Sequence, residues 1–256
     1  LSIQSLAVSS NFRQDQTVFA GVVDGGVCRS TDGGRTWTPV GKSTIGRATV
    51  QALATAPDFS TKRVVAAGTE EHGLWISTDG GRRWTKPEVA GAESVNAVAL
   101  SPSFDEDQTI AAGTGSEGLL VSQDGGATWE ARGLGAEAGA VLSLALTADD
   151  VGPPRIWAGT FESGLFRSDD LGASWSPANN GITSQSWVTM DLSPGFASDR
   201  TMFAGGASTG VYRSTDGGSL WDAVNAEIER RDVADLAVSP EFSSDRLVLA
   251  ATQTGL

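Results

Sequence analysis

The chain contains very little cysteine, histidine or tyrosine, and each shortage excludes a class of site. Its 256 residues include one of each, namely Cys28, His72 and Tyr212. A single cysteine excludes an intrachain disulfide and a metal site built from several cysteines. A single histidine excludes a catalytic metal held by several imidazoles. We therefore expect no cofactor of these kinds.

Basic residues and long apolar runs are also scarce. Acidic residues outnumber basic ones 31 to 18, which gives a formal charge of −13 at pH 7. A negative field of this size repels nucleic acid and anionic membrane surfaces, so we expect neither as a partner. No apolar stretch approaches the roughly 18–20 residues of a membrane span, so we also expect no membrane insertion.

What the chain has instead is one short pattern, Ser-x-Asp-x-Gly-x-Thr-Trp or a close variant, in five copies. The copies are Ser30–Trp37, Ser77–Trp84, Ser122–Trp129, Ser168–Trp175 and Ser214–Trp221. Their tryptophans are 47, 45, 46 and 46 residues apart. A period of this length indicates one supersecondary unit copied in series, in which each copy buries its apolar faces against its neighbours.

The residue types of this pattern suit a turn rather than a reaction. The aspartate can accept hydrogen bonds from backbone N–H groups of its own turn, and the glycine can adopt positive φ. The tryptophan covers the hairpin with a large apolar ring. We therefore predict structural roles for Asp32, Asp79, Asp124, Asp170 and Asp216, and for Trp37, Trp84, Trp129, Trp175 and Trp221.

Each repeat also contains segments with the alternation of β-strands. The first strand is predicted at Gln4–Val8, Gln51–Thr55, Asn96–Leu100, Leu142–Leu146, Val188–Leu192 and Ala234–Val238. The second is predicted at Thr17–Gly21, Arg63–Gly68, Thr109–Gly113, Arg155–Gly159 and Thr201–Gly205. A third strand leads into the Ser-x-Asp pattern, and the tryptophan opens a fourth. Four short antiparallel strands in every repeat are typical of the blades of an all-β propeller.

The sequence does not divide into a whole number of blades. Six copies of the first strand accompany five copies of the Ser-x-Asp pattern, which predicts five complete blades and half of a sixth. We expect one propeller domain over residues 1–256, whose last blade is incomplete from about residue 235. A closed ring hides its sheet edges, so the half blade suggests a piece of a longer propeller. The alternative is an assembly in which another chain supplies the missing strands.

The five copies resemble the Asp-box, or BNR, repeat of bacterial sialidases, sortilin-type receptors and photosystem II assembly-factor-like propellers. The first and third copies match every specified position, whereas Arg83, Ser174 and Leu220 replace the usual threonine in the others. The resemblance covers nearly the whole chain and implies a β-propeller. It also implies that the box lies between the third and fourth strands, on the face opposite the usual active site.

In a propeller, the loops from strand two to strand three and from strand four to the next strand one share the face that usually binds ligands. The first of these loop classes carries acidic residues here: Asp24, Glu70, Glu71, Glu117 and Glu162. Such carboxylates could attract a basic partner or a cation, and calcium, which prefers oxygen ligands, is the metal they would suit. The alternative is that they are polar loop tips in contact with water.

A second candidate site consists of departures from the repeat. Asp191 and Asp235 stand where other copies have small neutral residues, and Trp187 stands where they have isoleucine or valine. Arg47, Arg230 and Arg231 lie in the loops from strand four to strand one. These residues could form a ligand cleft in which the tryptophan stacks on a sugar ring. Alternatively, Arg230 or Arg231 pairs with Asp191 or Asp235 as a structural ion pair.

Three functions remain open. The first is a non-catalytic scaffold, secreted, periplasmic or attached to the cell surface, that presents its loops to a protein or glycan. The second is a glycoside hydrolase with a pair of carboxylates, for which Asp191 and Asp235 are the candidates. A sialidase-like site is disfavoured because Tyr212 aligns with apolar residues of the third strand and therefore reads as core. The third is a structural module without a ligand.

Overall fold

The computed structural model describes residues 2–89, 93–116, 118–134, 139–147, 153–183, 186–226, 228 and 231–252. The backbone divides into two compact units, Leu1–Arg132 and Gly133–Leu256. Both consist of antiparallel sheets joined by short connections. The expectation of one domain over residues 1–256 stays a prediction.

Unit 1 contains three sheets in chain order. The first comprises β1 (Ile3–Val8), β2 (Val18–Val22), β3 (Gly26–Ser30) and β4 (Thr38–Val40). The second comprises β5 (Val50–Thr55), β6 (Val65–Thr69) and β7 (Leu74–Ser77), and a single bridge from Ile76 to Thr85 takes the place of its fourth strand. The third comprises β8 (Val95–Leu100), β9 (Ile110–Thr114), β10 (Leu119–Ser122) and β11 (Glu130–Arg132).

Unit 2 repeats the same order. One sheet comprises β12 (Val141–Thr147), β13 (Arg155–Thr160), β14 (Leu165–Ser168) and β15 (Ser176–Pro177). The next comprises β16 (Trp187–Leu192), β17 (Met202–Gly206), β18 (Gly210–Ser214) and β19 (Asp222–Ala223). Within the described residues, the last sheet has two strands, β20 (Val233–Val238) and β21 (Val248–Thr252). The all-β prediction is confirmed, and the sheets are consistent with propeller-like blades.

In five of the six sheets, the first two strands are joined by a single helical turn that the sequence did not predict. These turns are α1 (Phe12–Asp15), α2 (Phe59–Lys62), α3 (Phe104–Asp107), α4 (Phe196–Asp199) and α5 (Phe242–Asp245). The aromatic residue of α2 to α5 is buried, so it closes the end of its sheet. In α4, Asp199 accepts hydrogen bonds from Ser193 Oγ at 2.6 Å and from Thr201 N at 2.8 Å. The aspartate therefore holds the connection in place.

The core lies between neighbouring sheets of each unit. In unit 1, Phe19 and Val65 pack with Val50. A glycine in the second strand allows this close approach: a Cβ built on Gly68 would lie 2.5 Å from Val95 O of the next sheet. A cluster of the same kind in unit 2 includes Trp157, Trp187, Met202, Tyr212 and Trp221. Burial of such apolar surface is the main favourable contribution to folding.

The Ser-x-Asp turns are closed by their own side chains. In the first, Asp32 Oδ1 accepts hydrogen bonds from Ser30 Oγ at 2.8 Å and from Thr36 N at 2.9 Å. Its Oδ2 accepts a further bond from Thr36 Oγ1 at 2.6 Å. Ser30 Oγ in turn accepts from Gly34 N at 2.8 Å. These bonds satisfy backbone N–H groups that a tight turn would otherwise leave unpaired.

These hydrogen bonds shift the pKa values of the box carboxylates. Hydrogen bonds from a side-chain hydroxyl and from backbone N–H groups lower the pKa of Asp32, Asp124 and Asp170 to about 2, because they stabilise the charged form. Thr36, Thr128 and Ser174 supply those hydroxyls.

The other two boxes have no such hydroxyl, because Arg83 and Leu220 occupy the position. Burial is the largest single influence on Asp79 and Asp216 and raises the pKa of both. The hydrogen bonds from their turns outweigh burial, so both pKa values still lie below the ordinary value.

The box tryptophans differ in burial, contrary to the uniform role that the sequence suggested. Trp84 and Trp221 are buried, whereas Trp37 is 41% exposed. Trp84 lies against Gly41 in the loop that leaves the preceding sheet. Trp37 belongs to the first sheet of unit 1, which has no preceding sheet in that unit. Its indole N–H nevertheless donates to Gly34 O at 3.0 Å.

A single methyl group placed in a box turn should be strongly destabilising. Gly81 has φ +84°, and a Cβ built on it would lie 2.8 Å from Cε1 of Phe19. We expect Gly81→Ala to lower the free energy of unfolding by about 3 kcal/mol, from left-handed backbone strain plus overpacking. Gly139→Ala is the matched control, because Gly139 has φ +67° and no atom near that Cβ. It should cost about 1 kcal/mol in urea unfolding. Equal losses would contradict this account of the turn.

Candidate functional site

A cleft in unit 2 lies at the loops that the sequence predicted to bind ligands. It has a volume of about 550 Å³ and is called the unit 2 cleft below. Its polar lining consists of Thr183, Ser208, Thr209, Tyr212, Asn225 and Arg231. Ser208 and Thr209 lie between β17 and β18, whereas Asn225 and Arg231 lie between β19 and β20. The cleft is therefore formed by both loop classes of one sheet.

Hydrogen bonds hold the walls of the unit 2 cleft. Asn225 Oδ1 accepts from Val211 N at 2.7 Å, and Asn225 Nδ2 donates to Thr209 O at 3.1 Å. The Tyr212 hydroxyl lies 2.9 Å from Thr183 Oγ1, and either can be the donor. Gly210 N donates to Arg231 O at 2.9 Å, which fixes the backbone of the arginine. The wall is thus organised before any ligand arrives.

Two groups of the wall have hydrogen-bonding capacity left over. Thr209 Oγ1 is buried and has no hydrogen-bond partner among the described residues. The Arg231 side chain is exposed and carries a permanent positive charge. A buried hydroxyl without a partner is unfavourable, and rotation of the partly exposed Thr209 side chain about χ1 would bring Oγ1 to the cleft, where a bond to a ligand would remove that cost. Such a wall is suited to a molecule with many hydroxyl groups.

Trp187 does not present its ring to the cleft, in contrast to the expectation from the sequence. It is 0% exposed and packs edge-on against Tyr212, with ring centroids 5.4 Å apart and an interplanar angle of 80°. The first residue of this strand is equally buried in the neighbouring copies, as Val141 and Val233 show. Trp187 therefore supports Tyr212 from behind, and stacking of a sugar on its ring is excluded in this structure.

Asp191 and Asp235 join the first strands of two neighbouring sheets. Asp191 Oδ2 accepts from Val238 N at 2.7 Å, and Asp191 Oδ1 accepts from Leu192 N at 2.8 Å. Asp235 Oδ1 accepts from Leu236 N at 2.9 Å and from Thr189 Oγ1 at 3.1 Å. Neither residue lines the unit 2 cleft. Within the described residues, no ion pair connects either carboxylate to Arg231, and the alternative bridge to Arg230 stays a prediction because Arg230 lies outside them.

Burial raises the pKa of Asp191 above its ordinary value, and the negative charge of Asp235 raises it further. Hydrogen bonds from Val238 N and Leu192 N oppose this shift but do not cancel it. The direction agrees with the rule that a carboxylate withdrawn from water and placed near a like charge holds its proton more tightly.

The remaining predicted residues lie apart from the unit 2 cleft. Glu70 and Glu71 are exposed in unit 1, and Glu162 is exposed in unit 2. Arg47 Nε donates to Asp24 O at 3.2 Å in unit 1. Glu117 and Arg230 lie outside the described residues. Among those that are described, no group of three or more His, Cys, Asp or Glu residues could hold a metal ion. None of the described helices is long and apolar enough to cross a membrane.

Sequence reasoning missed most of the cleft lining. The sequence places Tyr212 in the core; it is indeed buried, yet it also lines the cleft, and its hydroxyl lies within hydrogen-bond distance of Thr183 Oγ1. One signal was available for Asn225. Asn179 occupies the same position four residues after a box tryptophan, and its Oδ1 accepts from Leu165 N at 2.8 Å, as Asn225 does from Val211 N. Thr183 and Thr209 gave no comparable signal.

The coupling of the two aspartates makes a pH-dependent prediction. Because the folded-state pKa of Asp191 is raised, its contribution to stability is complete below the unfolded-state pKa of about 3.9 and is lost as the pH rises through the folded-state value. Asp235→Asn removes the neighbouring charge and keeps an acceptor at Oδ1. We expect it to raise the free energy of unfolding by about 0.5 kcal/mol at pH 7 and to leave it unchanged at pH 3.

Urea unfolding at the two pH values checks this, with Glu162→Gln as a control for the loss of one exposed negative charge. An Asp235→Asn effect that is the same at both pH values, or no larger than that of Glu162→Gln at pH 7, would contradict the coupling.

Comparison with known proteins finds structures of similar fold but no matching family. No family model and no curated protein sequence matches the chain. A GH74 enzyme from Niastella koreensis is similar with a TM-score of 0.78 and 16% identity, over 98% of this chain and 40% of the enzyme. An ancestral GH74 enzyme has a TM-score of 0.73 and 20% identity, over 93% of this chain and 33% of the enzyme. The computationally designed Ika8 protein has a TM-score of 0.66 and 15% identity, over 98% of this chain and 68% of that protein.

The chain therefore spans less than half the length of the two enzymes. Identities of 15–20% establish a shared fold and carry no activity with them.

Proposed function

We propose that this chain is a non-catalytic binding module of the Asp-box β-propeller type, with five complete blades and half of a sixth. Its partner is a glycan, free or attached to a protein, held in the unit 2 cleft. The recurring Ser-x-Asp turns and the likeness in fold to the GH74 enzymes support the architecture. The unit 2 cleft supports the binding role.

The observation that carries the proposal is the unpartnered hydroxyl in the cleft wall. Thr209 Oγ1 is buried without a partner among the described residues, next to a cavity of about 550 Å³. Ligand pockets usually have volumes of about 300–1,000 Å³ and contain a few fixed polar groups. A sugar hydroxyl can both donate and accept, so it can bond to Thr209 Oγ1 once the threonine side chain has rotated toward the cleft, while a neighbouring hydroxyl bonds to Arg231. The net charge of −13 favours neutral over acidic saccharides.

A glycoside hydrolase is the second candidate. Its support is the likeness in fold to the GH74 enzymes and the raised pKa of Asp191 beside a second carboxylate. Paired carboxylates with different proton affinities are the usual machinery of glycoside hydrolysis. Against it, both oxygens of Asp191 accept backbone N–H groups, and neither carboxylate lines the unit 2 cleft. The binding role therefore explains more of the geometry.

Thr209→Val separates binding from stability. The substitution replaces an unpaired buried hydroxyl by a methyl group, so the free energy of unfolding should stay equal or rise by about 1 kcal/mol. The same change removes a hydrogen bond to the ligand, so affinity for a glycan should fall about tenfold. Arg231→Gln should weaken binding by a similar factor. A glycan array would identify the ligand, and calorimetric titration would measure the affinities.

The control variant for these titrations is Glu162→Gln, which changes an exposed loop carboxylate that does not line the cleft. Hydrolysis of a broad glycoside panel is measured in parallel with Asp191→Asn and Asp235→Asn. Hydrolysis by the unmodified protein that either substitution abolishes, with folding intact, would replace the binding role by the hydrolase.

A further inference from the structure

A large aromatic side chain is exposed on the face of unit 2 that carries the glycan cleft. Phe161 is 53% exposed. It lies between β13 and β14, in the same class of connection as Ser208 and Thr209 of the unit 2 cleft, which lie between β17 and β18. Because the second and third strands run in the same directions in both sheets, the two connections lie on one face of the unit.

Single exposed apolar side chains are common on protein surfaces, so exposure alone does not indicate a site. Phe161, however, differs from its counterparts in the other repeats, which are Val23, Glu70, Gly115 and Ala207. Its sheet has further sheets both before and after it in the chain, so the exposure does not arise at an end of the sequence. Among the described residues, no other aromatic ring packs against Phe161.

The backbone around Phe161 is fixed on both sides. Phe161 N donates to Ala140 O at 3.0 Å, which ties the start of the connection to the residue before β12. Thr160 N and Thr160 Oγ1 donate to Gly164 O at 3.0 and 2.8 Å, and Ser163 N donates to Thr160 Oγ1 at 3.0 Å. The ring is therefore presented from an ordered loop, so a ligand that packs on it loses little affinity to the ordering of the backbone.

Packing inside unit 2 connects this loop with the wall of the cleft. Gly159 lies two residues before Phe161, and a Cβ built on it would lie 3.1 Å from Cβ of Trp187. The Trp187 ring packs in turn on Tyr212, which lines the cleft. The end of β13 is therefore held against the residues that support the cleft wall.

A second contact joins the other end of the loop to the cleft. A Cβ built on Gly164 would lie 2.5 Å from Asn179 Oδ1. Asn179 O accepts a hydrogen bond from Ile182 N at 3.0 Å, and the next residue, Thr183, lines the cleft. Both ends of the Phe161 loop are thus in register with the cleft wall.

The packing of the two sheets sets the distance between Phe161 and the cleft. Ala207 has the repeat position of Phe161 and directly precedes Ser208 of the cleft lining. Its N–H donates to Ser186 O before β16, as Phe161 N donates to Ala140 O before β12. Neighbouring sheets pack about 10 Å apart, so Phe161 lies about 10 Å from this edge of the cleft. That separation exceeds the width of one pyranose ring.

Phe161 provides a kind of surface that the unit 2 cleft lacks. The lining of the cleft offers hydroxyl, amide and guanidinium groups, whereas its aromatic residue, Tyr212, is only 5% exposed. Ligand sites usually combine a few fixed polar groups with apolar or aromatic surface. A pyranose ring matches both, because its hydroxyl groups lie at the edge of the ring and its C–H groups lie on the faces.

We infer that Phe161 is a second sugar subsite, and that the ligand of unit 2 is a chain of several neutral sugars rather than a single terminal sugar. This inference rests on the proposed glycan function and names the class of glycan. One sugar of the chain occupies the unit 2 cleft and bonds to Arg231. A sugar further along the chain places a C–H face on the Phe161 ring, which removes exposed apolar surface from water.

Chain length provides the first part of the test. Malto-, cello-, manno- and xylo-oligosaccharides are titrated into the protein by calorimetry, each as the monosaccharide and as the hexasaccharide. All of them are neutral, as the negative charge of the protein favours. In at least one series the hexasaccharide should bind at least about tenfold more tightly than the monosaccharide, because only the hexasaccharide reaches both subsites.

Variants of Phe161 separate a second subsite from a mere effect of length. Phe161→Ala should weaken hexasaccharide binding about tenfold and leave monosaccharide binding unchanged, because the stacking surface is lost. Phe161→Trp keeps an aromatic face and should restore hexasaccharide binding. Glu162→Gln, which changes the neighbouring exposed side chain, should have no effect. Urea unfolding should show that all three variants fold, because both side chains are exposed.

NMR spectroscopy of the bound hexasaccharide gives a direct readout of stacking. Sugar C–H protons that lie over an aromatic ring shift upfield, so this shift should appear with the unmodified protein and with Phe161→Trp, and be absent with Phe161→Ala.

Equal hexasaccharide affinity of Phe161→Ala and the unmodified protein would overturn the inference. If Thr209→Val and Arg231→Gln still weaken binding in that case, the glycan function stands and only the second subsite fails. Absence of binding by every hexasaccharide would also overturn the inference, and the glycan array would then decide the proposed function separately.

Discussion

Each Ser-x-Asp hairpin of this protein depends on a carboxylate that accepts hydrogen bonds from its own turn. Asp32 shows the arrangement in full: it accepts hydrogen bonds from the backbone N–H of Thr36, from the Thr36 hydroxyl and from the Ser30 hydroxyl. Once the turn is closed, its adjacent glycines can adopt positive φ and approach the rings of the preceding sheet. Gly81 over Phe19 is the clearest example. The hydrogen bonds that close a turn thus also position one sheet against the next. This packing fixes where the loops of each sheet lie.

The pattern of the sequence accounts for the strands but not for the depth of side chains. The predicted first and second strands agree with the observed ones within two residues, because alternation and turn glycines are local properties. Burial is not local. Trp37 and Trp84 occupy the same position of the repeat, yet only Trp84 has a preceding sheet in its unit to pack against. The sequence suggests that Trp187 stacks on a ligand, because the other copies of the repeat have isoleucine or valine at this position. In the structure Trp187 lies in the core and packs against Tyr212.

For the candidate site, the sequence predicts only the face on which it lies and not the residues that line it. The repeat predicts which loops of unit 2 share a face, and Arg231 lies in one of them. Thr183, Thr209 and Tyr212 come together because the loop before β16 lies against the start of β18, and no pattern in the sequence encodes that contact. Asp191 and Asp235 also depart from the repeat, and in the structure each accepts a hydrogen bond from the neighbouring first strand.

The proton affinity of the box carboxylates tests the central claim most directly. A carboxylate that closes its turn is stabilised in the charged form, whereas one that faces solvent or a ligand site is not. An NMR titration of the carboxyl carbons should therefore give a pKa of about 2 for Asp32, Asp124 and Asp170. Asp79 and Asp216, which lack the hydroxyl donor at the threonine position of the box, should have pKa values that are higher than these but still below the ordinary value. Five carboxylates that all titrate at the ordinary value would contradict the account.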